Sequence, residues 1–317
     1  MRRACVDMVY ELAKRDDRVV FIGSDLSPGL LDDMKREFPD RHYMEGVSEA
    51  NFIGMAAGMA MDGYVPYLNT IATFITRRCY EQVAVDLCLH NLPVRLIANG
   101  GGMVYAPLGP THLAIEDIAI MRALPNMTVV APADAGEMRR FMEISLDWPG
   151  PIYIRLAKGG DPVVTDGQDG FEIGRAYHLR QAEAGRFGPV LLVATGVTTA
   201  RSLGAAEILA ADGIACDVLH VPTVKPIDEA AIETLAKAAR LVVTIEEHTV
   251  VGGLGSAVTD VLIDRLDGNV PPMRRLGIPD TFVQDYGDQD WLMKSCGLGA
   301  EQIAETVGHT VSVLAAA

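Results

Sequence analysis

The stretch Gly46-Val47-Ser48-Glu49-Ala50-Asn51-Phe52-Ile53-Gly54-Met55-Ala56-Ala57-Gly58-Met59-Ala60 decides the fold. It reads as a strand end turning into a helix. Ser48 stands where an N-cap hydroxyl would accept from a free backbone amide. Gly54, Ala57 and Gly58 fall on one side at helical spacing, and so narrow a face lets another backbone approach closely. A helix this apolar on all sides is expected to be buried. One carboxylate, Glu49, sits in its first turn. Taken alone, it is an acid favoured by the positive end of the helix dipole.

Outward from this helix, apolar strands alternate with helices. Arg2 to Arg15 reads as a helix, Arg18 to Gly23 as a buried strand, and His42 to Val47 as a second strand feeding Glu49. Val65 to Leu68 is a third, followed by a helix from about Thr76 to His90. Pro93 to Ala98 is a fourth strand, opening into a loop over 99–111 with three consecutive glycines. A helix from about Leu113, a strand over Met127–Ala131, another helix and the strand Ile152–Arg155 complete this unit. Strands of continuous apolar character between helices imply a parallel sheet covered on both faces. Residues 158–188, rich in Gly, Asp and Gln, read as a linker. A second α/β unit then runs from Pro189 to the end. Its strands lie at Val190–Ala194, Cys216–Val221, Leu241–Ile245 and Pro272–Pro279, with a closing helix from Ala300 to Ala316. The fold class is thus α/β, with two doubly wound domains over 1–157 and 189–317.

Composition narrows the function classes. A chain of 317 residues suits two domains. The 49% hydrophobic content and mean hydropathy of +0.19 imply large buried surfaces, a subunit interface among them. A net charge of −15 argues against nucleic acid or an anionic membrane as partner. No apolar run reaches the roughly 18 residues of a spanning helix. The N-terminus leads into an amphipathic helix rather than a signal peptide. Five scattered cysteines without a CxxC pair suggest a reduced, cytoplasmic protein with no zinc site, Cys79 and Cys88 being core thiols.

The Glu49 segment closely resembles the glutamate segment of the transketolase superfamily, whose enzymes use thiamine diphosphate. The resemblance extends through Thr73-Phe74, Gly109-Pro110-Thr111-His112, Pro125-Asn126-Met127-Thr128-Val129-Val130-Ala131-Pro132-Ala133-Asp134 and Arg155, and on through the C-terminal third. It implies a pyrimidine-binding domain followed by a transketolase C-terminal domain. It also implies roles. The cofactor loses a C2 proton with the help of its own 4′-amino group, provided that ring nitrogen N1′ is hydrogen-bonded to a carboxyl group; the resemblance puts Glu49 there. Phe74 matches the residue whose flat face receives the pyrimidine, with Ile75 as the alternative in that slot. Asp25, in the turn Ser24-Asp25-Leu26, matches a residue near the thiazolium. His112 matches a histidine set against substrate oxygens, where an imidazole can shuttle protons near neutral pH. Arg155 matches a sugar-phosphate arginine, whose planar fork suits a phosphate or carboxylate; an inter-domain salt bridge is its alternative role. Arg2 matches a second phosphate-binding arginine.

The pattern breaks where the family reads substrate. Gly100 and Gly101 stand at the places of a phosphate-binding His or Arg. Leu108 stands where an Asp reads a substrate hydroxyl, and Gly29 replaces a phosphate-site Ser. These changes suggest an unusual sugar, unphosphorylated at the standard end or bulky, such as a nucleotide-linked or branched-sugar precursor for which the glycines leave room. The Gly-Asp-Gly motif and following Asn, with which the superfamily holds the cofactor diphosphate through Mg²⁺ or Ca²⁺, are missing. The resemblance therefore implies the C-terminal subunit of a split transketolase. Its partner would be an N-terminal subunit carrying the diphosphate-binding domain and the metal, in an α2β2 heterotetramer. Two rivals share the fold: the β subunit of a 2-oxoacid dehydrogenase E1, and a scaffold subunit without catalysis. Glu246-Glu247-His248 and Gly252-Gly253-Leu254-Gly255 read as a strand-to-helix turn that is structural rather than a phosphate loop.

Overall fold

A computed structural model describes residues 1–24, 26, 29–182 and 187–316. Among them are two sheets. In chain order the strands are β1 (Val19–Gly23), β2 (His42–Met44), β3 (Val65–Ile71), β4 (Arg95–Asn99), β5 (Thr128–Val130), β6 (Ile152–Leu156), β7 (Tyr177–Arg180), β8 (Val190–Ala194), β9 (Cys216–His220), β10 (Thr223–Lys225), β11 (Leu241–Thr249) and β12 (Met273–Ile278). The first sheet has seven strands in the order β10-β5-β6-β4-β3-β1-β2, and the second has five, β12-β11-β8-β9-β7. Each is parallel apart from one antiparallel edge strand, β10 in the first and β7 in the second. The α/β class with two parallel-dominated sheets holds. Central strands such as β1, β3, β4 and β6 are buried along their whole length, as continuous apolar runs require in a sheet covered on both faces.

The edge strands depart from the sequence reading. β10 lies within the second sequence unit yet pairs with β5 of the first sheet, Thr223 opposite Val130 and Lys225 opposite Val129. The Lys225 ammonium anchors it by donating to the carbonyls of Arg122 and Leu124. β7 falls inside the stretch expected to be linker and pairs with β9. Both are short, half-polar strands, whose pairing decides their conformation more than their composition does.

The helix Glu49–Met61 forms where expected, but Ser48 does not cap it. Its hydroxyl turns back to donate to the Glu45 carbonyl at 2.7 Å. Nor is the helix buried all round. Phe52, Ile53, Ala56 and Ala60 pack into the core of the first sheet, and a fully buried Phe or Ile contributes on the order of 2 kcal/mol. Gly54 and Gly58 are exposed. The helix expected over 76–90 is broken into an α turn (Ala72–Thr76), a 3-10 turn (Arg77–Cys79), a short α segment (Tyr80–Gln82) and a π segment (Val83–Cys88). Two further corrections concern boundaries. The helix expected from Leu113 starts at Asp117, and β11 runs on through Glu246, Glu247 and His248, so these belong to the strand and not to the turn after it.

Two polar anchors brace the first sheet. Arg95 of β4 is fully buried. Its guanidinium donates to the carbonyls of Ser145, Gly150, Leu146 and Trp148 at 2.5–3.3 Å, holding the end of the Ala135–Ser145 helix. Burial pushes Arg95 down to about 10. Asp134 caps that same helix by accepting from the Glu137 amide at 2.9 Å, and it also accepts from the backbone and hydroxyl of Thr165. This fixes the connecting segment against the first unit. Replacing Arg95 by Met strands four carbonyls, and we expect a loss of about 3 kcal/mol or more. Denaturant unfolding of R95M checks this; a midpoint equal to that of the parent chain contradicts it.

Candidate functional site

Glu49 begins its helix at the carboxyl end of the neighbouring strands, and only 1% of it is exposed. Among the described residues its carboxylate has one short partner: Arg78 Nη1 donates to Oε2 at 2.7 Å. The Thr70 hydroxyl of β3 stands 3.5 Å from Oε1. The same guanidinium lies over the ring of Phe74, 4.1 Å from its centre. Phe74 in turn meets the imidazole of His112 edge to face, with ring centres 5.3 Å apart. His112 is half-buried, and its Nδ1 lies 2.8 Å from the Thr111 hydroxyl. Glu49, Phe74 and His112, far apart in sequence, thus form one continuous line with Arg78 between the first two. Two sheet connections produce it, the turn after β3 and the loop before the Asp117–Ala123 helix.

Other candidates fall elsewhere. Ile75 is fully buried in the core of the first sheet, whereas the ring of Phe74 is only partly buried and lies against Arg78. Asp25 lies outside the described residues. Arg2 is half-buried, and its charge partly offsets the rise that burial gives the Tyr105 phenol. The Tyr105 ring fills the space in front of Gly100, where a Cβ would overlap it, and Gly100 has φ +76°. A Cβ on Gly101 would come within 2.5 Å of Arg155 Cγ. These two glycines therefore admit neighbouring side chains of the same chain; they do not leave room for a bulky sugar, and that part of the sequence reading is corrected. Leu108 is half-exposed beside Gly109 in the loop leading to His112.

Arg155 is a second correction. It does not point into an open crevice. It is 6% exposed and binds Asp117 with two hydrogen bonds, Nε to Oδ2 at 2.7 Å and Nη2 to Oδ1 at 3.2 Å. Nη2 also donates to the carbonyls of Ala114 and Glu247, at 3.2 and 2.8 Å. Burial opposes the charge on Arg155, but Asp117 and Glu247 outweigh it and hold the residue above the ordinary arginine range. Its salt bridge is therefore with Asp117 of the first unit, and what reaches the β11 strand is a hydrogen bond to the Glu247 backbone carbonyl. Around it, Tyr153 donates to Asp117 at 2.7 Å, while Glu247 accepts from the Met103 amide at 2.8 Å and from Gln289 at 2.9 Å. Burial, only partly offset by Arg155, raises Glu247 above the ordinary value of 4.5.

Sequence reasoning missed Arg78, Asp117 and Glu247. Asp117 was legible only as a first-turn acid, and Glu247 only as part of an acidic run. The position four residues after Phe74 was the available signal for Arg78, but the break in helical register there hid it. Glu246 confirms one reading. Its carboxylate accepts from the amides of Leu254 and Gly255 at 2.7 and 2.8 Å, so the glycine-flanked helix start is filled by an internal anion and is structural.

Could the line hold an aminopyrimidine? That ring needs a carboxyl group at one edge and a flat apolar face beneath. Arg78 shows that both are present and reachable by one planar, nitrogen-bearing group. The residues fit.

The chain matches the family "Transketolase, pyrimidine binding domain" over residues 1–160 and "Transketolase, C-terminal domain" over 186–303. It is 37% identical over 314 residues to the 6-deoxy-6-sulfo-D-fructose transketolase subunit SqwH of Clostridium sp. (strain MSTE9), covering 98% of this chain and 94% of that one. It is also 37% identical over 309 residues to a 1-deoxy-D-xylulose-5-phosphate synthase of Synechococcus sp. (strain JA-3-3Ab), of which it spans 46%. Among solved structures it resembles one described as "Split gene transketolase, inactive beta4 tetramer", with TM-score 0.87, 35% identity and 98% of both chains covered. Transketolase from Campylobacter jejuni shares the fold, with TM-score 0.78 and 20% identity, and the chain covers 46% of it.

Two outcomes follow from the buried charges. Replacing Arg155 by Met leaves Asp117 unpaired in the interior, and we expect a loss of about 3–5 kcal/mol in unfolding free energy. An R155M chain as stable as its parent but weaker for sugar would restore the substrate role. Because Glu247 is raised in the folded state, the stability it supports is full below pH 4.5 and is lost as pH rises through its folded value. Unfolding midpoints of E247Q relative to the parent should improve steadily from about pH 4 to 7; a difference that stays constant with pH rules this out.

Proposed function

Since the chain belongs to the transketolase family, we propose that it is the C-terminal subunit of a split transketolase. On this reading residues 1–157 supply the pyrimidine half of each cofactor site, and 189–317 form the C-terminal domain. An N-terminal subunit supplies the diphosphate half and its Mg²⁺ or Ca²⁺, the whole assembling as an α2β2 heterotetramer that alone is active. The observation that carries this is the line Glu49, Phe74, His112, which provides a pyrimidine site and a proton shuttle. The full-length likeness to two chains named as transketolase subunits supports it.

When bound, thiamine diphosphate supplies the chemistry that breaks and forms carbon–carbon bonds. Glu49 holds the pyrimidine edge and exchanges a proton with it. Its burial excludes water, so the hydrogen bond is stronger than it would be in solvent. Phe74 orients the ring by contact with its face. His112, edge to face with Phe74, moves protons on the sugar hydroxyls as a two-carbon ketol unit passes from a ketose donor to an aldehyde or keto acceptor.

The sugar is atypical on this reading. What supports it is the lack of charged side chains at Gly100, Gly101 and Leu108, together with the engagement of Arg155 elsewhere. A nucleotide-linked or branched sugar stays within the proposal, but its space must come from another part of the site. In the two-subunit enzyme, E49Q should lower ketol transfer about 100-fold or more, as loss of a positioned acid–base group does. Carbon-13 NMR of a labelled ketose donor with an aldose acceptor reads this directly. Unchanged transfer by E49Q supports the scaffold reading; carbon dioxide release from pyruvate without an acceptor supports the E1 reading.

A further inference from the structure

We propose that Arg78 occupies the pyrimidine half-site of the free chain in place of the cofactor ring, and so sets the affinity for the cofactor. The inference rests on the assignment of Glu49 and Phe74 made above and goes beyond it.

Two contacts carry the proposal. Arg78 Nη1 donates to Glu49 Oε2 at 2.7 Å, and the guanidinium lies 4.1 Å above the centre of the Phe74 ring. One is the edge contact and the other the face contact that an aminopyrimidine would make. A guanidinium is flat, delocalised and lined with N–H groups, and it stacks on aromatic faces. The ring face within stacking distance accepts one planar group at a time, so ring and guanidinium exclude each other.

Burial shows which group moves. Glu49 has 1% of its side chain exposed and cannot rearrange without disturbing the core, whereas Arg78 has 45% exposed and can swing into water. Its neighbour differs. Arg77 pairs with Glu116 and donates to the Leu113 carbonyl, which locks it to the segment before the Asp117–Ala123 helix. The backbone passes from a 3-10 turn over Arg77–Cys79 into α and then π geometry. This change of register turns two adjacent arginines to different partners, one fixed and one free to leave.

Hydrogen-bond roles make the occupation inhibitory. A guanidinium only donates, so Glu49 accepts. Ring nitrogen N1′ carries a lone pair and needs Glu49 to donate. Arg78 thus keeps the carboxyl group in the role opposite to the one catalysis uses. In the free subunit it also gives a buried carboxylate the partner it requires. Release of Arg78 and a change of hydrogen-bond role at Glu49 then accompany cofactor binding.

The test measures binding. The probes are thiamine diphosphate with Mg²⁺ on the assembled two-subunit enzyme, followed by tryptophan fluorescence, and 4-amino-5-hydroxymethyl-2-methylpyrimidine on the full chain alone, followed by saturation-transfer NMR. R78A should bind both probes about tenfold more tightly than the parent. R78K, which keeps the charge but not the flat face, should gain less. E49Q and F74A run beside them. If those two weaken cofactor binding while R78A and R78K bind no tighter than the parent, the occupation by Arg78 is refuted and the site assignment stands. If E49Q and F74A leave binding unchanged, the site assignment itself falls, and this inference with it.

Discussion

A carboxylate withdrawn from water must have a partner, and the architecture around Glu49 follows from that constraint. The helix start at Glu49 places a favourable dipole behind the group, and Phe52 and Ile53 anchor that helix in the core of the first sheet. Among the described residues the carboxylate's short contact is with Arg78, which itself lies over Phe74. A solvated carboxylate at this point would be unremarkable chemistry. Sequestered at 1% exposure, it must be satisfied by whichever hydrogen-bonding partner stands in front of it. The catalytic proposal and the inference about Arg78 are two consequences of this single burial.

The second organising feature is the seam between the two sheets. Arg155, Asp117, Tyr153 and Glu247 form a buried polar network in which β6 and the Asp117–Ala123 helix meet β11. His248 adds a tie, its Nε2 accepting from the Ala119 amide at 3.2 Å. A further one joins Glu137 to His220 Nε2 at 2.8 Å, with His220 Nδ1 in turn 2.7 Å from the Thr199 hydroxyl. Networks this buried favour one relative placement of the elements they join because any other leaves charges unpaired. The loop carrying His112 is held from behind by this seam, through the Arg155 contact with the Ala114 carbonyl. The same placement explains why Gly100 and Gly101 lack side chains: Tyr105 and Arg155 take that volume.

Much of the α/β order was legible in the chain. Continuous apolar strands between helices announced parallel sheets, and the Glu49 segment, Phe74 and His112 could be located from their motifs. The edge strands β7 and β10 were not legible, because pairing partners distant in sequence determine them. The fractured helix after Phe74 was not either. A switch from 3-10 to π geometry leaves apolar spacing nearly unchanged while it redirects Arg77 and Arg78. Arg155 shows the limit of motif reading most clearly. A fork-shaped cation at a strand end suits a phosphate, but whether it faces a substrate or a buried aspartate depends on a helix thirty-eight positions away. Gly100 and Gly101 make the same point for absent side chains, which can serve internal packing as readily as a ligand.

The central claim is that this chain holds only the pyrimidine half of a cofactor site. Calorimetric titration of thiamine diphosphate with Mg²⁺ tests it most directly, on the chain alone and on the chain assembled with the subunit that carries the diphosphate-binding domain. The account predicts tight binding in the assembly and no comparable binding by the chain alone. Tight binding by the isolated chain would reveal a metal and diphosphate site within these residues and contradict the split-enzyme account.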